Sequence, residues 1–329
     1  MTNIDKTTLF ALSNIKGIGP KAIEKILDSG LEIHQFRNLG HEKLGEYIRG
    51  GKNKEGAIDQ LVDNFDQCFD RAEYDLSTYS DKSITVLSRY DDNFPELYKL
   101  IADPPLFIYI KGNLDLLDKK RNIAIVGTRE CTETGHTIAF STAEFFAKAD
   151  FNIVSGLALG IDTAAHEGAL SVSGKTTSIV VDIENIFPEE NKGLAEDIIN
   201  NDGLLISENK PGTIQHRGLF VSRDRLQSGL SLGVFPIETD VIGGTMHTVQ
   251  FSIDQKRLLF CPDFKKVPDY NLSAKQCRGV LKLIDENKAE SYSRDDYDKI
   301  LEQLNKKQID LLTKKKLPPT GQNLRLDGF

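Results

Sequence analysis

The chemistry open to this chain is concentrated in a handful of arginines and the residues beside them. Arg129 follows the apolar run Ile123–Val126 within IAIVGTRECTETG, while Arg217, Phe220, Arg223 and Arg225 crowd the stretch that ends in RLQSGLS. A guanidinium presents a planar fork that matches phosphate oxygens and keeps its charge when partly buried. An aromatic ring near such cations adds a face on which a base can stack. Gly127 and Thr128, and then Ser155, Gly156 and Gly160, stand where apolar runs end. A glycine there lets backbone approach a ligand, and a helix start offers unpaired N–H groups to an anion. The combination suits a phosphate-bearing strand. The same residue types equally suit a buried ion-pair network with Glu208, Glu238 and Asp224, and identity alone does not separate the two.

Catalytic and cofactor patterns fit less well. Ser155, Asp162 and His166 have the types of a triad, but Asp162 and His166 fall i,i+4 on one helix start, where Asp suits a cap. They are expected, with Glu208, to give structural support, and no nucleophile elbow is present. GxGxxG is missing at both Gly127 and Gly156, as is the acid that would meet a ribose hydroxyl, so no dinucleotide cofactor is expected. GALSVSGKT spaces its glycines too widely for a P-loop and follows a helix rather than a strand. Gly243-Gly244-Thr245 is similar to the GGxGT element of Rossmann-like nucleotide phosphoribohydrolases, yet no glutamate stands at 246–250. Glu238 would serve only by a different geometry. A nucleotide-binding or phosphoribohydrolase-like protein, with or without turnover, is the competing reading.

Composition bounds these readings. The chain has 329 residues, 39% hydrophobic and 27% charged, with a formal net charge of −8. That charge argues against coating nucleic acid with the whole surface, but not against a local basic groove. Cys68, Cys131, Cys261 and Cys277 form no CxxC pair and the histidines no HExxH, so neither a disulfide framework nor a metal site is expected. No apolar run nears the ~20 residues of a membrane span, and MTNIDKTTLF lacks the blocks of a signal peptide; a cytoplasmic protein is expected.

The elements that must position the arginines follow from periodicity. Residues 1–80 read as a small all-α domain. From 81 to 268, short β-branched runs alternate with helical stretches: Ile123–Val126, Asn152–Ser155, Ser178–Val181, Leu204–Ser207, Val234–Ile237 and Leu258–Cys261. Ile138, Ala139, Ala143, Phe146 and Ala147 mark one face of a helix over 134–148. Apolar strands separated by helices predict a Rossmann-like, doubly wound, mostly parallel α/β sheet. Residues 269–329 read as a helical C-terminal extension ending in the run Lys314–Lys316, expected to be solvated.

IAIVGTRECTETG, NIVSGLALGIDTAAHEGAL, NIFPEEN, LLISENKPG and FVSRDRLQSGLS, in this order, resemble the pattern of the DNA-processing protein A family (DprA/Smf), and Ile84–Leu117 resembles its lead-in segment. The resemblance implies a protein that is not an enzyme, binds single-stranded DNA, hands it to a RecA-type recombinase during natural transformation and acts as a homodimer. The implied DNA pocket is Gly127, Thr128, Arg129, Ser155, Gly156, Gly160, Phe220, Arg223 and Arg225, with Arg217 added from charge and nearness. NIKGIGPKAIEKIL resembles a helix–hairpin–helix (SAM-like) motif whose Gly17, Gly19 and Lys21 would offer a second DNA contact. The chain departs from the family at Asp224, the middle of its RNR, at Gly243-Gly244-Thr245 in place of SGS, and at Pro236 inside a core strand.

Overall fold

The computed structural model describes residues 4–48 and 53–314, so of the run Lys314–Lys316 the last two lie outside the described residues. The chain divides into two compact units, Met1–Asp91 with Pro105–Tyr109, and Asp92–Pro104 with Ile110 onward.

The smaller unit begins with the predicted helix pair, Lys6–Asn14 and Pro20–Asp28. Asp5 caps the first helix by accepting a 2.9 Å bond from Thr8 N. Leu9, Phe10, Leu12, Ile23 and Ile26 turn inward. Between the helices Gly17 takes a φ of 111°, and a side chain there would crowd Ala57 at 3.1 Å as well as the left-handed backbone. Gly19 is the N-cap of the second helix with Pro20 at its first position, and Lys21 is exposed. Later helices and the first strand, β1 (Thr85–Ser88), close this core; Arg89 N bonds Leu106 O at 2.9 Å just before β2 (Phe107–Gly112).

The larger unit holds the remaining strands: β3 (Asn122–Val126), β4 (Asn152–Ser155), β5 (Thr176–Ile179), β6 (Leu204–Ser207), β7 (Gly233–Pro236), β8 (Leu258–Pro262) and β9 (Glu290–Tyr292). They lie side by side as β6-β5-β4-β3-β7-β8-β9, every pair parallel. Ile, Val and Leu runs buried on both faces are what such a sheet requires. The expected α/β Rossmann-like class is what the chain forms. The helix expected over 134–148 is Glu133–Lys148, with Ala139, Ala143, Phe146 and Ala147 in the main core.

Three expectations need correction. The third core strand starts at Thr176 rather than Ser178, because buried threonines extend it: Thr176 Oγ1 donates to Ile153 O at 2.7 Å and Thr177 Oγ1 to Asn152 Oδ1 at 3.2 Å. A reading based on apolarity passes over hydroxyls that are satisfied inside the sheet. Pro236 does not interrupt a strand, since it ends β7 opposite Val126, where the next N–H, of Ile237, takes up the bond to Val126 O at 3.0 Å. The extension expected to be helical from 269 is helical over Lys275–Asp285 and Tyr297–Lys314, and between them it carries a strand that the periodicity did not show. It contributes β9 against β8, and Tyr297, Ile300 and Leu304 enter the central core. The hydroxyl of Thr142 meets those of Tyr292 and Tyr297 at 3.1 and 2.9 Å, fastening the tail to the helix Glu133–Lys148.

Candidate functional site

Strand order reverses at β3. The chain steps outward from β3 through β4 and β5 to β6, then returns to place β7 on the other flank of β3. In an open parallel sheet the loops leaving such neighbours diverge and leave a crevice at the strand carboxyl ends. Here that crevice is a cavity of about 770 Å³. Its walls are the loop after β3 (Gly127, Thr128, Arg129), the helix Arg217–Gly229 (Arg217, Phe220, Arg223, Asp224), the loop after β7 (Thr239 to Thr245) and the tail residues Lys275 and Gln276.

Backbone ties hold the loop after β3. Thr128 N donates to Glu238 O at 2.7 Å and Thr128 O accepts from Ile161 N at 3.3 Å. Gly160, with a φ of 80°, passes so close that a Cβ on it would lie 2.6 Å from the carbonyl oxygens of Thr128 and Arg129. Ile161 fills the space a side chain at Gly127 would need. The main chain of Arg129 is therefore clamped while its side chain is exposed. Among the described residues, neither Arg129 nor the exposed Arg217 makes a side-chain hydrogen bond or ion pair. Positions 217, 220 and 224 fall on one face of their helix, spaced three and four apart, which turns them all to the cavity.

The other expected site residues are placed differently. Ser155 is buried and donates to Ile125 O at 2.6 Å. The space beside Gly156 is occupied by the Arg223 guanidinium, so this glycine admits protein, not ligand. Arg225 lies outside the cavity wall; its Nη1 donates to Glu208 Oε2 at 2.8 Å and its Nη2 to Oε1 in a two-pronged pair. Of the two alternatives left open by residue types, Arg225 takes the ion-pair role and Arg129 and Arg217 do not. Arg223 divides its roles: it is 6% exposed, donates to Ile179 O at 3.0 Å and approaches Asp224 Oδ1 at 3.4 Å, yet its edge lines the cavity.

Charge inside the wall is mixed. Burial pushes the Asp162 carboxyl up, against the pull of Arg223 and of the Gly156 and Ala158 N–H groups that it accepts at 3.1 and 3.3 Å. Burial also drives Asp224 up to about 6, with Arg223 opposing and Asp162 assisting. His166 is fully buried and held down to about 3 by burial and by Arg223. Its Nδ1 sits 2.7 Å from Thr176 Oγ1, whose own proton goes to Ile153 O, so the ring donates from Nδ1. Asp162 thus braces the β4 turn, where the Ser155 hydroxyl also reaches it, while His166 turns to Thr176 of β5 and not to Ser155, so the serine–imidazole bond of a triad does not form. Glu238 is also committed: it accepts from Thr132 N at 2.8 Å, Thr132 Oγ1 at 2.6 Å and Tyr270 Oη at 2.6 Å. It pins the start of the helix Glu133–Lys148, and it does not line the cavity.

Sequence reasoning passed over Lys275, whose Nζ lies 2.9 Å from Glu130 Oε2 at the cavity rim. It sits 146 positions from Arg129, and no spacing signal links the two. Phe187, within NIFPEEN, has no spacing that ties it to Phe220; it is 52% exposed and its ring centroid lies 5.7 Å from that of Phe220. Among the described residues, no group of three or more His, Cys, Asp or Glu is gathered to hold a metal, and no helix is long and apolar enough to cross a membrane.

Fold and cavity define a class: a Rossmann-like α/β protein with an aromatic-edged crevice of mixed charge, two unpaired arginines among its described residues, at the switch point of its sheet. Residues 85–305 match the model of the DNA recombination-mediator protein A family, and the chain belongs to that family. It is 37% identical over 258 residues to the DNA processing protein DprA of Streptococcus pneumoniae, covering 78% of this chain and 86% of that protein. The X-ray structure of DprA from Streptococcus pneumoniae superposes with a TM-score of 0.72 over 88% of this chain and 95% of that one, at 26% identity. DNA processing protein A from Helicobacter pylori, whose structure addresses its single-stranded DNA binding mode, superposes with a TM-score of 0.58 over 67% of this chain and 96% of that one, at 27% identity.

Proposed function

We propose that the chain binds single-stranded DNA across the switch-point cavity and acts as a recombination mediator, passing the strand to a RecA-type recombinase in natural transformation. One observation carries the reading: Arg129 and Arg217 stand in one cavity with no ion pair to any of the described residues, beside the Phe220 ring. The Asp224 carboxylate in the same wall feels the charge of Arg129 without pairing with it, so both guanidinium forks keep their donors for phosphates, and an aromatic next to them will take a base. Gly127, Thr128 and the edge of Arg223 complete the proposed contact. Ser155, Gly156 and Gly160 support it from behind, and Arg225 stands apart with Glu208.

The mediator role is read as non-enzymatic. The carboxylates and imidazole nearest the cavity floor are spent on structure, Glu238 on Thr132 and Tyr270, Asp162 on the β4 turn and His166 on Thr176 of β5. Homodimeric assembly and a cytoplasmic setting are part of the same proposal, and rest on the family membership. Within the smaller unit, the start of the helix Pro20–Asp28 is the second proposed DNA contact, through the backbone N–H and the exposed ammonium of Lys21, since Pro20 has no N–H and those of Ala22 and Ile23 donate to Gly19 O.

The test is a salt titration of binding to a single-stranded oligonucleotide and to its duplex. Single-strand binding is expected to weaken steeply with salt and to exceed duplex binding. Arg129→Ala and Arg217→Ala are each expected to lower the slope of log K against log salt by roughly 0.7, the share of one single-strand phosphate contact, with unchanged melting temperature. An unchanged slope in both variants rejects the site.

A further inference from the structure

One wall of the cavity offers donors without any cation. The helix Thr245–Asp254 starts there, directly after the loop that follows β7, and Gly243, Gly244, Thr245 and Thr248 all line the cavity. Its first N–H groups have different fates. Met246 N donates to Gly243 O and His247 N to Gly244 O, each at 3.0 Å. Gly244 N and Thr245 N have no hydrogen-bond partner among the described residues, and no side chain caps this end. Two unpaired donors at the positive end of a ten-residue helix offer a place for an anion.

The turn before the helix leaves those donors bare. Gly243 stands where the family pattern has a serine, and a Cβ there would lie 2.5 Å from Thr239 Oγ1. Thr239 gives its own proton to Asp240 O at 3.0 Å. A Cβ on Gly244 would meet nothing within 4 Å, so the approach to its N–H is open. The acid of this turn, Asp240, accepts from Val241 N at 2.7 Å and lies 3.7 Å from Arg278 Nε. A side chain gives the second, independent observation. Thr248 is 2% exposed, lines the cavity, and its hydroxyl has no hydrogen-bond partner among the described residues. Within a helix a threonine hydroxyl can donate back to the carbonyl four residues earlier, and Thr248 does not. A buried hydroxyl left without a partner costs free energy, and here a partner can reach it only from the cavity.

We propose that the start of this helix holds one phosphate of the bound strand, through Gly244 N, Thr245 N and the Thr248 hydroxyl. The inference rests on the single-strand reading above and adds a phosphate subsite that contains no cation. All three groups donate, and the unbridged oxygens of a phosphodiester only accept, so the partner is the backbone of the strand rather than its bases. Because these donors are neutral, the subsite adds affinity without the counterion release that an Arg or Lys contact brings. Arg129 and Arg217 set the salt dependence of binding, and the helix start supplies a share that salt does not remove.

Binding of a single-stranded oligonucleotide by the full chain, titrated with salt, tests this. Gly244 has a φ of −56°, within the range of proline, so Gly244→Pro removes that N–H from a backbone already shaped for it. Its comparison is Gly244→Ala, which keeps the N–H. Gly244→Pro is expected to bind roughly tenfold more weakly than Gly244→Ala, the share of one hydrogen bond to a charged group, at the same salt slope. Thr248→Val should weaken binding by a similar factor, and Thr248→Ser should restore it; melting temperatures confirm that each variant is folded. Equal binding within either pair of folded variants overturns the inference. So does a loss seen with thymidine monophosphate but not with the oligonucleotide, which would give the site to a free nucleotide. The arginine variants separate the two readings. A lowered slope in Arg129→Ala with no effect of Gly244→Pro or Thr248→Val removes only this subsite, whereas an unchanged slope in both Arg129→Ala and Arg217→Ala removes the strand reading itself.

Discussion

The Arg223 guanidinium lies where a side chain on Gly156 would have to be, so a Cβ at Gly156 would overlap Nη1 of Arg223. The glycine at the end of β4 is thereby a packing partner of a cation 67 positions later. Gly156→Ala is expected to expel the guanidinium from its 3.0 Å bond to Ile179 O. The overpacking should destabilise the fold by about 1–3 kcal/mol, read from the urea midpoint at constant m-value. Arg223→Ala should do more harm, leaving the buried Asp162 and Asp224 carboxyls without their cation, and its loss of DNA binding will track loss of folded protein.

Arg225 and Glu208 form a separate unit. The pair is two-pronged, with 11% and 26% of the side chains exposed, and Asp103 Oδ2 lies a further 3.5 Å from Arg225. Arg225→Ala is expected to destabilise by roughly 1–3 kcal/mol, less than for a fully buried pair because Glu208 regains some water. The DNA salt slope of the folded protein should not change. A slope reduced as in Arg129→Ala would return Arg225 to the phosphate contacts.

Asp224 predicts a pH dependence of binding. Its folded pKa of about 6 lies above the ordinary value of 3.8, so acidification through pH 6 discharges a carboxylate inside the proposed phosphate site. DNA affinity of the unmodified chain, measured by fluorescence anisotropy, should rise several-fold from pH 7 to pH 5. Asp224→Asn should bind more tightly at pH 7 and lose that rise.

The same substitution exposes His166. Between about pH 6 and 4 folded Asp224 holds a proton that the unfolded chain has released, so this group gains stability as pH falls. His166 has the opposite sign: its folded pKa of about 3 lies below 6.5, so stability is lost as pH falls below 6.5. With Asp224→Asn the opposing gain is gone. The melting temperature of that variant should therefore drop more steeply from pH 6 to pH 4 than that of the parent chain.

At the rim, Lys275 is neutralised by Glu130, whose carboxyl it holds below the usual range through a hydrogen bond and its charge. Glu130→Gln should free a third cation for the strand. Tighter DNA binding with a salt slope steeper by roughly 0.7 is expected. No change in slope would mean that Lys275 is not within reach of a phosphate.

Much of this was legible before any fold was known. The runs around Ile125, Val154, Leu205 and Phe235 showed a parallel sheet because strands buried on both faces must be apolar throughout. Arg129 and Phe220 stood out as types that suit a phosphate and a base, although the arginines of the chain suited an ion-pair network equally well by type alone. The start of β5 at Thr176 and the whole strand at Glu290–Tyr292 were hidden for a common reason: their polar side chains are satisfied by partners elsewhere in the chain, Ile153 O and Asn152 for the first, and Thr142 for Tyr292.

What the sequence determined by itself is the kind of chemistry, since charge, planarity and period belong to residues and their neighbours along the chain. It could not rank arginines of the same type within one segment. Arg217, Arg223 and Arg225 differ only in what meets them among the described residues: no hydrogen-bond or ion-pair partner for the first side chain, Ile179 and Asp224 for the second, Glu208 for the third. Those partners arrive on other strands and loops. Whether a cation is free to meet a phosphate is therefore decided by tertiary structure alone.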